Sequence, residues 1–311
     1  MHWAKMQEAG GLAGMRFLLR TYRLCGRWPF RFLLFFVLLW FFGRRRTARE
    51  ASREYLRRLH AQSGGATPAS SLRNVFRHFL VFSEALLDKL LAAELSRQMD
   101  YHVDGLEHVL PLLEQKRGAI LVAAHFGNIE LCRKLSKRRA GLRLTVIAHT
   151  ENAVRFTRMM KELDPDYDVD LLHVSNIGID TAIMLAQRIE AGGFIVIAGD
   201  RVPVGSADAT VRVPFLGHDA DFPISSYVLA ATLQCPLLAV FGMRHGDRFI
   251  TTMRLVAESI HLPRKGREAA IRPYAAAFAK LLEAECLKAP FQWSNFYPFW
   301  ATSASAQTKE P

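Results

Sequence analysis

Two short stretches hold the residues best suited to chemistry. The first is Ala124-His125-Phe126-Gly127-Asn128-Ile129-Glu130. An imidazole accepts a proton near neutral pH. A carboxylate bonded to its other nitrogen fixes the tautomer and raises the basicity, as a general base requires. Gly127 and Asn128 suit a tight turn, with Asn128 a candidate helix cap. On a continuous helix, residues five apart diverge by about 140°. If a helix starts between them, Glu130 can fold back toward His125. The competing reading is a histidine that merely finishes a strand. The second stretch is Gly199-Asp200-Arg201. Here Arg201 can present a guanidinium to a phosphate, or Asp200 and Arg201 can form a self-contained surface pair. Asp200 and Glu130 could also make a carboxylate dyad, but nothing in the sequence fixes their separation. A Walker-type loop, a dinucleotide fingerprint, a zinc ligand set and a Gly-x-Ser-x-Gly elbow are all missing from the sequence.

These residues need a frame. Ala119–Ala124 is a short run that reads as a buried strand, and so are Leu144–Ala148, Asp170–Val174, Phe194–Ala198 and Leu237–Phe241. Helical patterns occupy 129–139, 151–163, 178–191, 224–233 and 267–288. Apolar strands alternating with helices predict an α/β fold with a mixed, mostly parallel sheet. Phe249–Val256 adds an antiparallel strand after a turn at His245-Gly246-Asp247. Residues 46–62 and 71–98 read as helices that precede the sheet. In such folds the chemistry lies at the C-terminal ends of strands. Both His125 and Asp200 fall there.

The 311 residues carry 41 Lys+Arg against 29 Asp+Glu, a net charge of +12. Half are hydrophobic and 23% are charged, which excludes a disordered chain. The excess charge admits nucleic acid or an anionic membrane as partner, and its position decides between them. Residues 1–60 hold 13 Lys+Arg and 3 Asp+Glu, so +10 of the charge lies there. Within that segment Phe32–Phe42 is an unbroken apolar run, short of the roughly 20 residues of a membrane span. Arg16, Arg20, Arg23, Arg27 and Arg31 form a helical stripe ahead of it, and Pro29 allows a kink. Arginines on both sides disfavour sending either flank across a membrane. The expectation is a monotopic anchor in residues 1–45, with a single spanning helix or a buried core helix as the alternatives, an α/β domain in 46–300 and a disordered tail in 301–311. Arginines threaded through apolar sequence argue against nucleic acid, which a soluble basic face with stacking aromatics would serve better. Cys25, Cys132, Cys235 and Cys286 show no metal-type spacing and read as core residues in a reducing compartment.

His125-Phe126-Gly127-Asn128-Ile129-Glu130 resembles the His-x-x-x-x-Asp/Glu motif of glycerolipid and lipid A acyltransferases. Gly199-Asp200-Arg201, Val213-Pro214-Phe215-Leu216-Gly217 and Phe222-Pro223 follow in the matching order. The resemblance is greatest to the late lipid A acyltransferases that add lauroyl or myristoyl chains, across roughly residues 15–300. It implies a membrane-associated enzyme at the cytoplasmic face of a bacterial inner membrane. It implies an acyl thioester donor, on acyl carrier protein or possibly coenzyme A, and a lipid or glycolipid acceptor, with no metal or other cofactor. By resemblance His125 is the general base and Glu130 orients it. Asn128, Asp200, Arg201, Phe215 and Gly217 are candidate substrate-binding residues. A thioesterase with water as acceptor and a basic nucleic-acid binder are the alternatives. One departure stands out. Where lipid A acyltransferases commonly carry a basic His-Arg-Arg-like stretch, this chain has Ser294-Asn295-Phe296-Tyr297-Pro298-Phe299-Trp300. That is more similar to relatives associated with aryl-polyene and other specialised lipids.

Overall fold

The structure is a computed structural model that describes residues 24, 26–140, 144–148, 170–173, 178–202 and 209–301. The helix expected over 151–163 and most of the arginine stripe before Arg31 lie outside those residues, as does the 302–311 stretch.

Among the described residues nine strands form two sheets. The large one contains β1 (Asp100–Asp104), β2 (Ala119–Gly127), β3 (Leu144–Ala148), β4 (Asp170–His173), β5 (Phe194–Ala198), β8 (Leu237–His245) and β9 (Arg248–Ala257). Their order is β1-β9-β8-β2-β5-β3-β4, parallel throughout except for the β8–β9 hairpin. That hairpin turns at Gly246-Asp247, as expected from the sequence. β6 (Thr210–Phe215) and β7 (His218–Pro223) make a separate antiparallel ribbon.

The central strands are buried on both faces, which is why they read as continuous apolar runs. Alternate residues go to opposite cores. Ile120, Val122 and Ala124 join the larger cluster, with Phe241, Phe278 and Trp293. Ala119, Leu121 and Ala123 join the smaller one, with Val109, Leu112 and Val240. Cys132, Cys235 and Cys286 are buried free thiols. Burial pushes the Cys132 thiol up to about 12 and that of Cys235 to about 11.

Among the described residues four helices precede the sheet. They are α1 (Arg27–Arg44), α2 (Arg46–Gln62), α3 (Leu72–Leu90) and α4 (Ala92–Gln98). The single helix expected over 71–98 is therefore two, broken at Leu91. Leu91 itself is buried against Leu34, Leu38 and Leu87. α3 begins on a cap in which Ser71 Oγ accepts from the Asn74 backbone N–H at 3.3 Å. Pro29 falls in the first turn of α1, where a missing N–H costs little, so the chain breaks ahead of it at Gly26. α1 packs Leu34 and Leu38 inward and leaves Phe32, Phe36, Leu39 and Trp40 exposed. No described helix is long and apolar enough to cross a membrane. The remaining described α-helices are α5 (Leu110–Glu114), α6 (Ile129–Ala140), α7 (Ile179–Glu190), α8 (Ser225–Leu233) and α9 (Arg267–Lys288).

Candidate active site

β2 pairs with β5 in parallel up to Ala123 opposite Ala198, and the Gly199 N–H then donates to the Ala123 carbonyl at 2.8 Å. On its other side β2 loses register with β8. Ala123 faces Val240, but Gly127 faces Gly242, so β2 carries extra residues between these points. Such a bulge re-aims side chains at a strand end, and His125 lies inside it. Gly127 closes the bulge with φ +59°. A Cβ there would meet the Gly242 carbonyl oxygen at 1.7 Å, so only glycine fits.

The bulged backbone finds its partners in the C-terminal segment. The Ser294 N–H donates to the His125 carbonyl at 2.7 Å, and the Gly127 N–H donates to the Gln292 carbonyl at 2.8 Å. Phe126 and Trp293 form an antiparallel bridge. The aromatic tail therefore acts as a short added strand against the end of β2.

Asp200 meets His125 twice. Its Oδ1 lies 2.8 Å from His125 Nδ1, and its Oδ2 accepts the His125 backbone N–H at 2.8 Å. The Trp293 indole N–H donates to the same Oδ2 at 3.0 Å. A carboxylate accepting from Nδ1 requires the Nδ1–H tautomer. His125 Nε2 then keeps its lone pair, and no described residue is hydrogen-bonded to it. The His125 side chain is 37% exposed, while Asp200 is 1% exposed.

The electrostatics follow from this packing. Crowding by protein lowers the His125 pKa, and the nearby Arg201 charge lowers it further, against the opposing pull of Asp200. Burial by itself would raise the Asp200 carboxyl. The charges of His125 and Arg201, with the hydrogen bonds from His125 and Trp293, outweigh that and hold it well below the usual carboxylate range. The neutral imidazole and ionised carboxylate thus coexist at pH 7.

Glu130 does not take the place expected of it. Its Oε1 accepts from Arg133 Nε at 3.0 Å and from Arg133 Nη2 at 2.5 Å, a buried pair one helical turn apart. The carboxylate on the imidazole is that of Asp200. The reason is geometric: the Gly127 turn and the start of α6 lie between His125 and Glu130, whereas Asp200 stands on the adjacent parallel strand. Asn128 does cap α6, its Oδ1 accepting the Leu131 N–H at 3.1 Å. Asn128 is 4% exposed, and its Nδ2 has no hydrogen-bond partner among the described residues.

Arg201 is brought beside the pair. Its Nη2 donates to the Ser294 carbonyl at 3.0 Å, and its guanidinium lies 5.8 Å from the centre of the Tyr297 ring. It is not the self-contained partner of Asp200. Phe215 and Gly217 lie elsewhere. Phe215 is buried in an aromatic cluster with Phe222, Trp293, Phe299 and Trp300, behind Asp200. Gly217, with φ +74°, makes the tight turn between β6 and β7. Phe215 packs in that cluster and Gly217 shapes the turn.

Two residues that the sequence did not single out support the pair. Trp293 is buried and fixes Asp200. His78 is buried in α3, with Nδ1 2.8 Å from Ser52 Oγ and Nε2 2.8 Å from the Trp293 carbonyl. Since a carbonyl can only accept, His78 donates through Nε2 and accepts from Ser52. A chain of hydrogen bonds thus runs from α2 through α3 to the tryptophan that holds Asp200. The unusual density of aromatics around Trp293 was the only hint of this in the sequence.

A cavity of about 430 Å³ opens beside the turn, with Gly127, Asn128 and Ser294 in its wall. Among the described residues no cluster of side chains could hold a metal ion.

The model for the bacterial lipid A biosynthesis acyltransferase family matches residues 68–302. The chain belongs to that family. It is an acyltransferase, and the match spans His125, Asp200, Arg201 and Trp293. No curated protein sequence matches this acyltransferase.

Proposed function

We propose that this acyltransferase moves a fatty acyl group from an acyl thioester to a hydroxyl or amine of a lipid or glycolipid acceptor. The donor is carried on acyl carrier protein or coenzyme A. The observation that carries this reading is the Nδ1 contact between His125 and Asp200, which leaves the Nε2 lone pair accessible.

In this mechanism His125 Nε2 takes the proton from the acceptor as its oxygen or nitrogen attacks the thioester carbonyl. The new C–O or C–N bond forms, the C–S bond breaks, and the departing thiolate takes the proton back from the imidazolium. Asp200 holds the ring and stabilises its transient charge. General-base assistance of this kind contributes about 10²–10⁴-fold. Arg201 offers a guanidinium to a phosphate of the donor's pantetheine arm or of the acceptor, and its charge helps keep His125 neutral. Glu130, tied to Arg133, steadies the first turn of α6. The mechanism calls on no metal or redox cofactor.

The expected site of action is the cytoplasmic face of a bacterial inner membrane. The exposed Phe32, Phe36 and Trp40 of α1, with Arg44 stacked 5.0 Å from the Trp40 ring, support docking in an anionic leaflet. An acidic acyl carrier protein would be drawn to the same basic flank.

The test is transfer of a radiolabelled acyl group from donor thioester to a membrane lipid extract. The parent protein labels lipid and His125→Ala does not. Release of free fatty acid with no labelled lipid would instead assign a thioesterase.

A further inference from the structure

Asp200 stands two residues past the end of β5, where the sheet no longer holds it. The last backbone bond on that side runs from the Gly199 N–H to the Ala123 carbonyl, at 2.8 Å. Beyond it, among the described residues, the Asp200 carbonyl accepts one hydrogen bond, from the Tyr297 hydroxyl at 3.0 Å. Asp200 is buried, and a buried carbonyl left without a donor is costly. Burial also raises the pKa of the Tyr297 phenol, so the hydroxyl stays protonated and keeps its donor.

The carboxylate of the same residue is aimed separately, by Trp293 Nε1 and by its two bonds to His125. Aim and anchorage come from two residues of one segment. Trp293 fixes the end of the side chain, and Tyr297 fixes the peptide from which it hangs. Between them, the Ser294 N–H holds the His125 carbonyl at 2.7 Å, and the Ser294 carbonyl receives Arg201 Nη2 at 3.0 Å. The Tyr297 ring adds a face for the Arg201 guanidinium, 5.8 Å from its centre. Tyr297 therefore meets Asp200-Arg201 twice, through its hydroxyl on one residue and its ring on the next. A misplacement of about 1 Å can cost on the order of 10²-fold in rate. Supporting groups are needed that hold a catalytic pair within about 0.5 Å.

We infer that Tyr297 is a positioning residue for the reaction: its hydroxyl pins the Asp200 main chain so that the carboxylate meets His125 Nδ1. The hydroxyl bonds to neither His125 nor the Asp200 carboxylate, so its effect reaches the imidazole through the Asp200 backbone. The inference rests on the acyl-transfer reading above and adds a residue to it.

The test uses full-length Tyr297→Phe, which keeps the ring against Phe299 and Arg201 and loses only the O–H. Transfer is measured from lauroyl-loaded acyl carrier protein or lauroyl-coenzyme A, whichever the parent uses, to a total membrane lipid extract. The second readout is the proton NMR resonance of His125 Nδ1–H, assigned by its absence from His125→Ala. The kcat should fall about three- to tenfold, the scale of one hydrogen bond, with KM for donor and lipid within about twofold of the parent. The Nδ1–H resonance should move upfield, as a longer bond to Asp200 requires. An unchanged kcat would overturn the inference. So would a lower kcat or melting temperature with the resonance unmoved, because the hydroxyl would then serve only the fold. A loss that falls on KM would make Tyr297 a binding residue instead, and failure to fold would make it a structural one; either overturns the inference. If the parent transfers no acyl group but the resonance moves in Tyr297→Phe, the acyl-transfer reading fails and the positioning of Asp200 stands. If the parent transfers and the resonance does not move, the positioning fails alone.

Discussion

His125 and Asp200 each stand two residues beyond the last paired position of neighbouring parallel strands, Ala123 on β2 and Ala198 on β5. Parallel register therefore delivers an imidazole and a carboxylate to the same height at the sheet's C-terminal edge, and the bulge in β2 turns the histidine toward its partner. The pair follows from strand order, its members standing 75 positions apart in the chain.

Trp293 should matter through Asp200. In Trp293→Phe the indole N–H is lost and most of the packing is kept. Asp200 then loses one of the hydrogen bonds that hold its carboxyl low. The expected result is a fall in kcat of roughly tenfold, the scale of one hydrogen bond to a charged group. The acid limb of the pH–rate profile should also move upward, because Asp200 protonates more readily. A purely structural role would lower the melting temperature without moving that limb.

His78 gives the fold a pH dependence of known sign. Burial holds it neutral with a pKa of about 4, despite a hydrogen bond to the Trp293 carbonyl that acts the other way. The unfolded chain has a histidine pKa near 6.5. Between these values the unfolded state binds more protons, so stability rises with pH across that window. The contribution is complete above about pH 6.5 and is lost as pH falls toward 4, about 3 kcal/mol in all. Chemical denaturation at a series of pH values checks this. The His78→Gln protein should be less stable at pH 7.5 and show a flatter slope between pH 4 and 6.5.

α1 should set membrane affinity. Replacing Phe32, Phe36 and Trp40 together with serine removes exposed apolar surface without touching Leu34 or Leu38, which face the body of the protein. Partition into anionic liposomes should fall by about tenfold or more, on a scale of about 25 cal/mol per Å² of apolar surface. Transfer to a short-chain, water-soluble acceptor should change little. Unchanged partition would place the docking surface elsewhere.

The strands and most helices were legible because a buried parallel sheet writes continuous apolar runs into the sequence, as in Phe194–Ala198 and Leu237–Phe241. The Asn128 cap and the Gly246-Asp247 turn were legible for the same local reason. β1 and the β6–β7 ribbon were not, since their half-buried strands lack such runs. Position at a strand end pointed to both His125 and Asp200. What local pattern could not supply was adjacency. Glu130 is five residues from His125 in sequence, yet a turn and a helix start separate them. Asp200 is remote in sequence and adjacent in the sheet. Trp293 and His78 were hidden for the same reason, because their roles exist only once the C-terminal segment folds back onto β2.

Glu130 and Asp200 make opposite predictions under a single substitution each. Glu130→Gln weakens a buried pair with Arg133, and such breaks cost about 3–5 kcal/mol at most. The loss should appear as a lower melting temperature. Asp200→Asn keeps the shape but removes the charge that holds the Nδ1–H tautomer and stabilises the imidazolium.

The most direct test compares acyl transfer by folded Asp200→Asn and Glu130→Gln proteins at saturating donor and lipid, below both melting temperatures. If Asp200 orients His125, Asp200→Asn loses about 10²–10⁴-fold in kcat while Glu130→Gln stays within about tenfold of the parent. A large loss in Glu130→Gln beside a nearly active Asp200→Asn would contradict the account.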